Sequence, residues 1–442
     1  MRATLKFIVV LILTWEAKRV LKKWKPFIIL VSGSVGKTTT KDAIYHVLKE
    51  HGSVRKSEKS FNSEIGVPLT ILGLPNAWHN PLVWMRNIRD GYRVTSANTY
   101  PDTLVLEVGS DHPGDILRLT SWLTPDIAVV TRLPDVPVHV EYFESPEALR
   151  KEDALVVSAL RESGVYVGNA DDLYALLLVE DTDKRHIRNI TFGLNVGATL
   201  RATTPTIRYA QEEGIERPVG MQCSVAWENE SYPIFINGVL GIQPCMAVLA
   251  ALAVGIARGQ SMVRMTESLI QFESPNGRMR IIAGKNSTTI IDDTYNSSPV
   301  AVEAALLTLK ECIGKRKIAI LGDMLELGSF AEEEHWKAGR LAGAFVDELV
   351  TVGARASFVA EAGKSSGLPE ACIHAFADAT EAGRFVASIM DRGDIILAKG
   401  SQGSGKNMIR LERVVKILME NELEASKVLV RQEDEWQKQY KK

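Results

Sequence analysis

The chain has 442 residues, enough for about two or three domains that each bury a core of their own. Its hydrophobic content of 45% and charged content of 24% are those of a globular protein, and its net charge of -2 gives no basis for a nucleic-acid partner. The cysteines form no CxxC pair and have no histidine at metal spacing. We therefore expect buried thiols in a reducing compartment, and neither a zinc site nor a disulfide framework.

Residues 1–26 form an apolar and basic segment ahead of the first domain. The run 7–15 is apolar but too short for a bilayer, which needs about 20 residues, and no small-residue cleavage site follows it. Cations interleaved with apolar residues come next, and they are Lys18, Arg19, Lys22, Lys23 and Lys25. This pattern predicts an amphipathic helix that either lies on a membrane surface or packs on the domain that follows.

The stretch 27–40, FIILVSGSVGKTTT, is an apolar run followed by a glycine turn and a helix start. A buried strand that leads through such a turn into a helix predicts a phosphate-binding loop for ATP, with a lysine on the phosphates and a threonine hydroxyl on Mg²⁺. Because Val31 stands where the longer Walker spacing has glycine, the loop is a short GxxGKT variant. The strand and helix on either side disfavour a chance Gly-Lys-Thr turn. The expected phosphate-binding residues are Gly33, Ser34, Gly36, Lys37, Thr38 and Thr39.

From 27 to 277 the pattern is α/β, because apolar strands alternate with helices. This alternation predicts a mostly parallel sheet that binds its ligands at the carboxyl ends of the strands. A Thr-rich stretch at 190–236 predicts antiparallel strands within the same domain. We expect strands at 103–108, 127–131 and 165–167, and helices at 41–49, 146–160 and 245–256.

Two residues of this region have the chemistry of a metal site. Glu107 ends an apolar strand, which is where a magnesium ion held by the threonine of a phosphate-binding loop needs an acid. The alternative is an acid that merely caps the strand. His139 lies in a Pro-rich loop after another strand, and a single histidine of this kind is more often structural.

The polar turn at 274–277 predicts a domain junction, and 278–442 forms a second α/β series. Its expected strands are 290–291, 318–321, 349–352 and 395–398. Asp292 and Asp293 end the first of these strands, where they would hold a ribose hydroxyl or orient an amine, or else form an Asx turn.

Motifs throughout the chain resemble the Mur ligase family and occur in the family's order. They are GSVGKTTT, FNSEIGVPLT, LEVGSDHPGDI, IDDTYNSSP, LGDMLELG and LAKGSQG. They come closest to the members that add D-alanyl-D-alanine to a UDP-N-acetylmuramoyl-tripeptide in peptidoglycan synthesis, a step of cell-wall biogenesis that maintains cell shape. The resemblance implies a P-loop central domain with a mostly parallel sheet and a C-terminal Rossmann-like α/β domain, which close over the substrates.

The resemblance also implies a reaction. The γ-phosphate of ATP passes to a substrate carboxylate, and an amine then attacks the acyl phosphate to leave an amide, ADP and phosphate. The protein acts mainly by positioning and by neutralising charge. Thr38 and Glu107 would hold a first Mg²⁺, with His139 a ligand or neighbour of a second. Arg278 would reach ATP at the hinge. Asp293, Tyr295 and Asn296 would lie near the nucleotide and the incoming amine, and Asp293 would bind the nucleotide. The residues implied in substrate binding are Asn62, Glu64, Tyr295 and Lys399.

One departure from the family pattern concerns a carbamylated lysine that many members carry after the loop histidine. A count without gaps from His139 places Asp153 there, with Lys151 two residues earlier. We expect the carboxylate of Asp153 to replace the carbamate, and a local shift that restores Lys151 is the alternative. With this assignment the expected catalytic residues are Lys37, His139, Asp153, Asp293 and Asn296.

Other departures affect the binding of the nucleotides. Gln243 and Ala247 replace the His and Asn of the helix on the adenine side, so the adenine contacts must partly differ. His335 falls near a family histidine of uncertain role. Members that add D-alanyl-D-alanine have a UDP-sugar-binding domain ahead of the P-loop, whereas 32 residues precede Gly33 here. We expect UDP to be recognised differently, or the acceptor to lack it.

Two classes of function stay open at this point. The first is an amide ligase that uses ATP and Mg²⁺, with a nucleotide-sugar peptide and D-alanyl-D-alanine as its substrates, or with a lipid-linked or folate-like acceptor. The second is a non-catalytic ATP-binding scaffold, which has no need of magnesium ligands. We expect a cytoplasmic monomer, with contact to the inner face of the membrane through the N-terminal helix as one option.

Overall fold

The computed structural model describes residues 3–78, 80–212, 214–402, 409–433 and 436. The first residues of the predicted segment 1–26 and the last residues of the predicted domain 278–442 lie outside the described residues. Among the helices that are described, none combines the length and the apolar character needed to cross a membrane.

The larger sheet has ten strands in the order β10-β9-β7-β6-β5-β4-β1-β3-β2, with β8 paired to β9. The ladders from β2 to β7 are parallel, and those that involve β8, β9 and β10 are antiparallel. The strands are β1 (Phe27–Ser32), β2 (Val54–Lys56), β3 (Thr103–Glu107), β4 (Ile127–Val130), β5 (Val165–Asn169), β6 (Arg188–Gly193), β7 (Leu200–Ala202), β8 (Thr206–Glu212), β9 (Ile215–Trp227) and β10 (Glu230–Asn237).

Helices cover both faces of this sheet, because the side chains of a central strand alternate between two cores. In β1, Ile29 and Val31 join one core, and Ile28 and Leu30 join the other. The first core packs under α2 (Lys37–Leu48), α8 (Ile242–Ala257) and α9 (Met262–Leu269). The second lies under α1 (Ala3–Trp24), α3 (Gly66–Leu72), α4 (Pro81–Thr95), α5 (Asp115–Thr120), α6 (Pro146–Ser158) and α7 (Leu173–Lys184).

The smaller sheet has six strands in the order β11-β12-β16-β13-β14-β15, and all but the first are parallel to their neighbours. Its strands are β11 (Arg280–Gly284), β12 (Thr288–Asp293), β13 (Lys317–Gly322), β14 (Glu348–Val352), β15 (Ile373–Phe376) and β16 (Ile395–Lys399). The accompanying helices are α10 (Pro299–Glu311), α11 (Ala331–Gly343), α12 (Ser357–Ser365), α13 (Ala379–Ile389), α14 (Glu412–Leu418) and α15 (Ala425–Val428).

The predicted α/β class with mostly parallel sheets is confirmed, and one local expectation needs correction. The stretch 190–236 is not antiparallel throughout, since β6 pairs in parallel with both β5 and β7. The helix-like segment 41–49 is part of a helix that begins at Lys37, directly after Gly36 as the glycine turn predicts, and that ends at Leu48. That glycine has φ 89° and takes the chain straight from the loop into the helix.

We call the part built on the ten-stranded sheet the larger domain and the part built on the six-stranded sheet the smaller domain. The N-terminal segment is a helix packed on the larger domain. Val9, Leu13, Ala17 and Val20 of α1 recur at helical spacing and are all buried in the second core. The packed-helix alternative therefore describes one side of α1, and the other side remains exposed.

Candidate active site

The phosphate-binding loop follows β1 and is shaped by Gly33 and Gly36, whose φ angles are 116° and 89°. A Cβ on Gly33 would lie 2.5 Å from Oγ1 of Thr131 and 2.9 Å from the carbonyl oxygen of Arg132, so no other residue fits there. The ammonium of Lys37 folds back over the loop and donates to the carbonyl oxygen of Gly33 at 2.5 Å. The backbone N–H groups at the start of α2 thus face an open space that suits phosphate oxygens.

A cavity of about 480 Å³ lies between the two sheets and opens onto this loop. A smaller adjoining space of about 40 Å³ shares Gly36 and Arg278 with it. Together they bring residues of both domains to one site. The predicted residues that line the larger cavity are Ser34, Gly36, Lys37, Thr38, Asn62, Glu107, His139, Arg278, Tyr295 and Asn296, and those that line the smaller are Gly36, Thr39, Arg278, Asp293 and Lys399.

Glu107 ends β3 at the floor of the larger cavity and is almost fully buried. Its Oε1 accepts a long hydrogen bond of 3.5 Å from the amide of Asn62, and the ammonium of Lys41 lies 3.9 Å from Oε2. Oε2 has no hydrogen-bond donor among the described residues. The hydroxyl of Thr38 is 3.2 Å from that of Ser60 at the same cavity. A buried carboxylate oxygen that accepts no hydrogen bond can bind a metal ion, and this one fits a magnesium site.

Asp153 lies on α6 with its side chain against the P-loop. Its carboxylate accepts from the hydroxyl of Ser110 at 2.7 Å and from that of Ser34 at 3.4 Å. Burial raises the pKa of Asp153, and the nearby Lys37 and the Ser110 hydrogen bond oppose that rise. Lys151 is exposed on another side of the helix. The structure therefore places Asp153, and not Lys151, beside the phosphate-binding loop.

His139 lies between the two domains, with a left-handed backbone at φ 72°. Its Nδ1 is 2.7 Å from Oε2 of Glu326, and its Nε2 is 3.5 Å from Oδ1 of Asp111. This contact with the ring lowers the pKa of Glu326. The ring of His139 is thus held between carboxylates of both domains at the edge of the cavity.

The smaller domain brings a second set of side chains to the cleft. The buried ammonium of Lys399 donates to the carboxylate of Asp293 at 2.5 Å and to the carbonyl oxygen of Asn296 at 3.2 Å. The hydroxyl of Tyr295 donates to Ser60 of the larger domain at 2.8 Å. The guanidinium of Arg278 stacks over the Tyr295 ring, 4.1 Å from its centre. Lys399 accordingly fixes the turn that follows β12.

Some predicted residues lie elsewhere or have structural partners. Glu64 is not among the residues that line the cavities, and it pairs with Lys6 of α1 at 2.9 Å. Its predicted substrate role stays a prediction. Gln243 lines the smaller cavity, whereas Ala247 is buried within α8. His335 is fully buried and accepts from the backbone N–H of Met324, so it holds the turn after β13.

The sequence interpretation missed several residues of the cleft. Lys41 is the buried cation nearest to Glu107, and its place four residues after Lys37 on the same helix was a signal for it. Glu326 reaches the site from the other domain and had no local signal. Further residues that were missed are Ser60, Asp111, Tyr142 and Arg355, which line the larger cavity, and Ser110, which binds Asp153.

Comparisons with known proteins identify the family of the chain. The Mur ligase middle domain model matches residues 31–84 and 90–255, and the Mur ligase, glutamate ligase domain model matches residues 277–402. Two similar proteins are named UDP-N-acetylmuramoyl-tripeptide--D-alanyl-D-alanine ligase. That of Bacillus subtilis (strain 168) is 28% identical over 92% of this chain and 79% of its own length. That of Escherichia coli (strain K12) is 25% identical over 89% and 77%.

Solved structures support the same fold. The MurF ligase from Thermotoga maritima in complex with ADP is 22% identical, with a TM-score of 0.72 over 95% of this chain and 84% of that one. A MurF from Acinetobacter baumannii is 22% identical, with a TM-score of 0.71 over 88% and 77%. With both family models matched in order along most of the chain, this protein belongs to the Mur ligase family.

Proposed function

We propose that this chain is an ATP-dependent, ADP-forming amide ligase that adds D-alanyl-D-alanine to a UDP-N-acetylmuramoyl-tripeptide. The observation that carries the proposal is the cleft in which the P-loop, Glu107 and His139 face Arg278, Tyr295 and Asn296 of the other domain. Similar curated proteins are named for this reaction. The protein would thus serve peptidoglycan synthesis, and with it cell-wall biogenesis and cell shape.

The P-loop is the proposed binding site for the triphosphate of ATP. Backbone N–H groups at the start of α2 and the positive end of the helix dipole would face the phosphates. Lys37 would exchange its bond to the carbonyl oxygen of Gly33 for the phosphate oxygens and neutralise the charge that moves with the γ-phosphate. Gly33 and Gly36 keep this approach free of side chains.

Thr38 and Glu107 would hold Mg²⁺, with His139 as a further ligand or neighbour. The described residues contain no group of three or more His, Cys, Asp or Glu side chains placed to cage a metal. Magnesium takes one or two carboxylates and completes its shell with phosphates and water, so Glu107 with the hydroxyl of Thr38 would be enough to hold it. When bound, the ion would polarise the γ-phosphate and balance its negative charge.

The remaining groups position the two reacting substrates. Asp153, fixed by Ser110 and Ser34, would supply the negative charge that a carbamate supplies in other members, without any modification. Asp293, oriented by Lys399, would hold the nucleotide from the side of the smaller domain. Tyr295 and Asn296 would lie at the incoming amine. They would align the amine with the acyl phosphate, because holding two reactants in the right geometry lowers the barrier to amide formation.

For the location, we propose the cytoplasm, where ATP and nucleotide-linked precursors are made, with peripheral contact to the inner face of the membrane. A lipid-linked acceptor or a folate-like one is the second candidate within the same chemistry. Exposed apolar residues on α1 favour the lipid-linked acceptor of these two. We also propose that the protein acts as a monomer.

The test measures phosphate release from ATP by the full chain. UDP-N-acetylmuramoyl-tripeptide and D-alanyl-D-alanine are supplied first singly and then together, and the product is weighed by mass spectrometry. We expect release only when both are present, with formation of the pentapeptide. Removal of Mg²⁺ by a chelator should stop release, and its return should restore it.

Failure takes distinguishable forms. A folded chain that binds ATP but releases no phosphate would contradict the nucleotide-linked acceptor, and the lipid-linked peptide is then supplied in its place. Phosphate release without either substrate would identify the protein as an ATPase. A chain that turns over no ATP with any acceptor would be a scaffold, and the proposed ligase activity would be wrong.

A further inference from the structure

The outer side of α1 is a row of large apolar side chains. The buried residues of α1 include Val9 and Leu13, and the opposite side carries Phe7, Leu11 and Trp15, which are 63%, 53% and 50% exposed. At about 100° per residue, these two sets lie on opposite faces of the helix. Packing on the domain thus fixes the rotation of α1 and leaves this apolar face pointing outward.

A second helix beside α1 has the same character. Leu82 and Met85 of α4 are 72% and 67% exposed, and Tyr92 lies about two turns beyond Met85 on the same side. The opposite side of α4 contains Trp84, Asn87 and Gly91, which are buried. The sequence interpretation did not include α4, because its apolar residues are spread among arginines.

Two contacts fix the relative placement of the helices. The carboxylate of Glu16 lies against Gly91, where a Cβ would come within 2.2 Å of it. Further along both helices, the ammonium of Lys23 donates to the carbonyl oxygens of Thr95 and Ala97, at 3.1 and 3.2 Å. The helices therefore run side by side in the same direction, with their apolar first halves adjacent. We define the α1–α4 surface as Phe7, Ile8, Leu11, Trp15, Leu82, Met85 and Tyr92.

Positive charge lies along both helices beside this surface. The segment from Lys18 to Lys25 contains cations and no acid, in a chain whose net charge is -2. On α4, Asp90 pairs with arginines that outnumber it. The guanidinium of Arg19 lies 4.7 Å from the centre of the Trp15 ring, so charge and apolar area meet directly. The cations are Lys18, Arg19, Lys22, Lys23, Lys25, Arg86, Arg89 and Arg93.

We propose that the α1–α4 surface docks on an anionic lipid bilayer. Contiguous exposed apolar area is rare on a protein that stays in water and marks a contact surface. Tryptophan and tyrosine beside lysine and arginine are typical of the membrane interface, where rings enter the headgroup region and cations reach lipid phosphates. The charge is the argument for a bilayer over a second copy of this chain, because two copies would bring like charges together.

Docking in this way gives the cleft an orientation. The ammonium of Lys6, in the first turns of α1, pairs with Glu64 at 2.9 Å, and Glu64 belongs to the loop that also supplies Asn62 to the cavity. The acceptor side of the cleft would then lie near the bilayer, a consequence that rests on the proposed function. The docking itself does not depend on it.

The test is sedimentation of the full chain with vesicles of phosphatidylcholine alone and of phosphatidylcholine mixed with phosphatidylglycerol. We expect binding to the mixed vesicles that weakens as salt is raised. The double variant Leu11→Ser, Trp15→Ser should lower the partition coefficient about tenfold or more. The variant Lys18→Gln, Lys22→Gln should lower the ratio of binding to mixed vesicles over binding to phosphatidylcholine vesicles about tenfold. The matched control is Leu307→Ser, Leu423→Ser, two leucines of the smaller domain that are 43% and 91% exposed.

Circular dichroism and ATP binding establish that each variant is folded, so a lost interaction is assigned to the surface. Equal sedimentation of the wild-type chain and the Leu11, Trp15 variant, or no preference for anionic vesicles, would overturn the proposal. Light scattering gives the other decisive outcome. A dimer that the Leu11, Trp15 variant converts to a monomer would assign the surface to a second copy of the chain and would equally overturn it.

Discussion

His139 of the larger domain and Glu326 of the smaller domain meet across the cleft, with Nδ1 2.7 Å from Oε2. Both residues have left-handed backbones, with φ of 72° and 63°, and the backbone N–H of Glu141 donates to the carbonyl oxygen of Glu326 at 3.3 Å. Two loops in an uncommon conformation thus hold each other where the domains close. We infer that this pair stabilises the closed arrangement of the two domains.

Glu326→Gln tests this inference, because it removes the charge and keeps the size of the side chain. We expect kcat/KM for ATP-dependent phosphate release to fall about threefold to tenfold, since a partly exposed charged contact is worth about 1 kcal/mol. Small-angle scattering should show a larger radius of gyration with nucleotide bound. Glu332→Gln, an exposed glutamate at the start of α11, is the control. Unchanged kinetics and unchanged compactness would show that the pair has no part in closure.

Lys37→Ala should abolish phosphate release, by about a thousandfold or more, because in the proposed mechanism this ammonium neutralises the charge of the transferred phosphate. The bond from Lys37 to the carbonyl oxygen of Gly33 already places it over the loop. The same substitution at Lys184, which is exposed on α7, should leave turnover intact. Full turnover by the Lys37 variant would mean that the phosphates bind elsewhere.

Asp153→Asn should lower turnover about a hundredfold, because it removes a fixed negative charge beside Lys37 without changing shape. Lys151→Ala should have little effect, since Lys151 is exposed on the other side of α6. Adding bicarbonate to a degassed wild-type preparation should not raise its activity. Activity that depends on bicarbonate, and that the Lys151 change removes, would identify Lys151 as a carbamylated residue.

These residues show how far the sequence was sufficient. The P-loop and Glu107 were predictable because their signals are local, a glycine turn and an acid at a strand end. The choice between Asp153 and Lys151 depended on helix phase, since residues two apart on a helix point about 200° apart and only one of them faces the loop. Glu326 was out of reach, because nearly two hundred residues separate it from His139 and only the docking of two sheets brings them together. The pairing of Glu64 with Lys6 could not be predicted from the sequence either, because it depends on how α1 packs on the larger domain.

The packing of α1 against α4 gives a prediction about pH. The carboxyl of Glu16 is buried beside Gly91, and its Oε2 has no hydrogen-bond partner in the described part of the chain. Burial raises the pKa of Glu16 from 4.5 to about 7. The folded chain therefore holds this proton more tightly than the unfolded chain does. The stabilising contribution is complete below pH 4.5 and is lost as the pH rises to about 7.

Glu16→Gln keeps the shape and stays neutral, so it should be more stable than the wild-type chain at pH 8, by about 1–3 kcal/mol in the free energy of unfolding. The difference should shrink steadily as the pH falls toward 5, where the wild-type carboxyl is protonated in the folded state. Urea unfolding followed by tryptophan fluorescence at a series of pH values measures it. Glu50→Gln, at an exposed glutamate, should show no such trend. A gain at Glu16 that is the same at every pH would mean that folding does not raise the pKa of this carboxyl, and the prediction would be wrong.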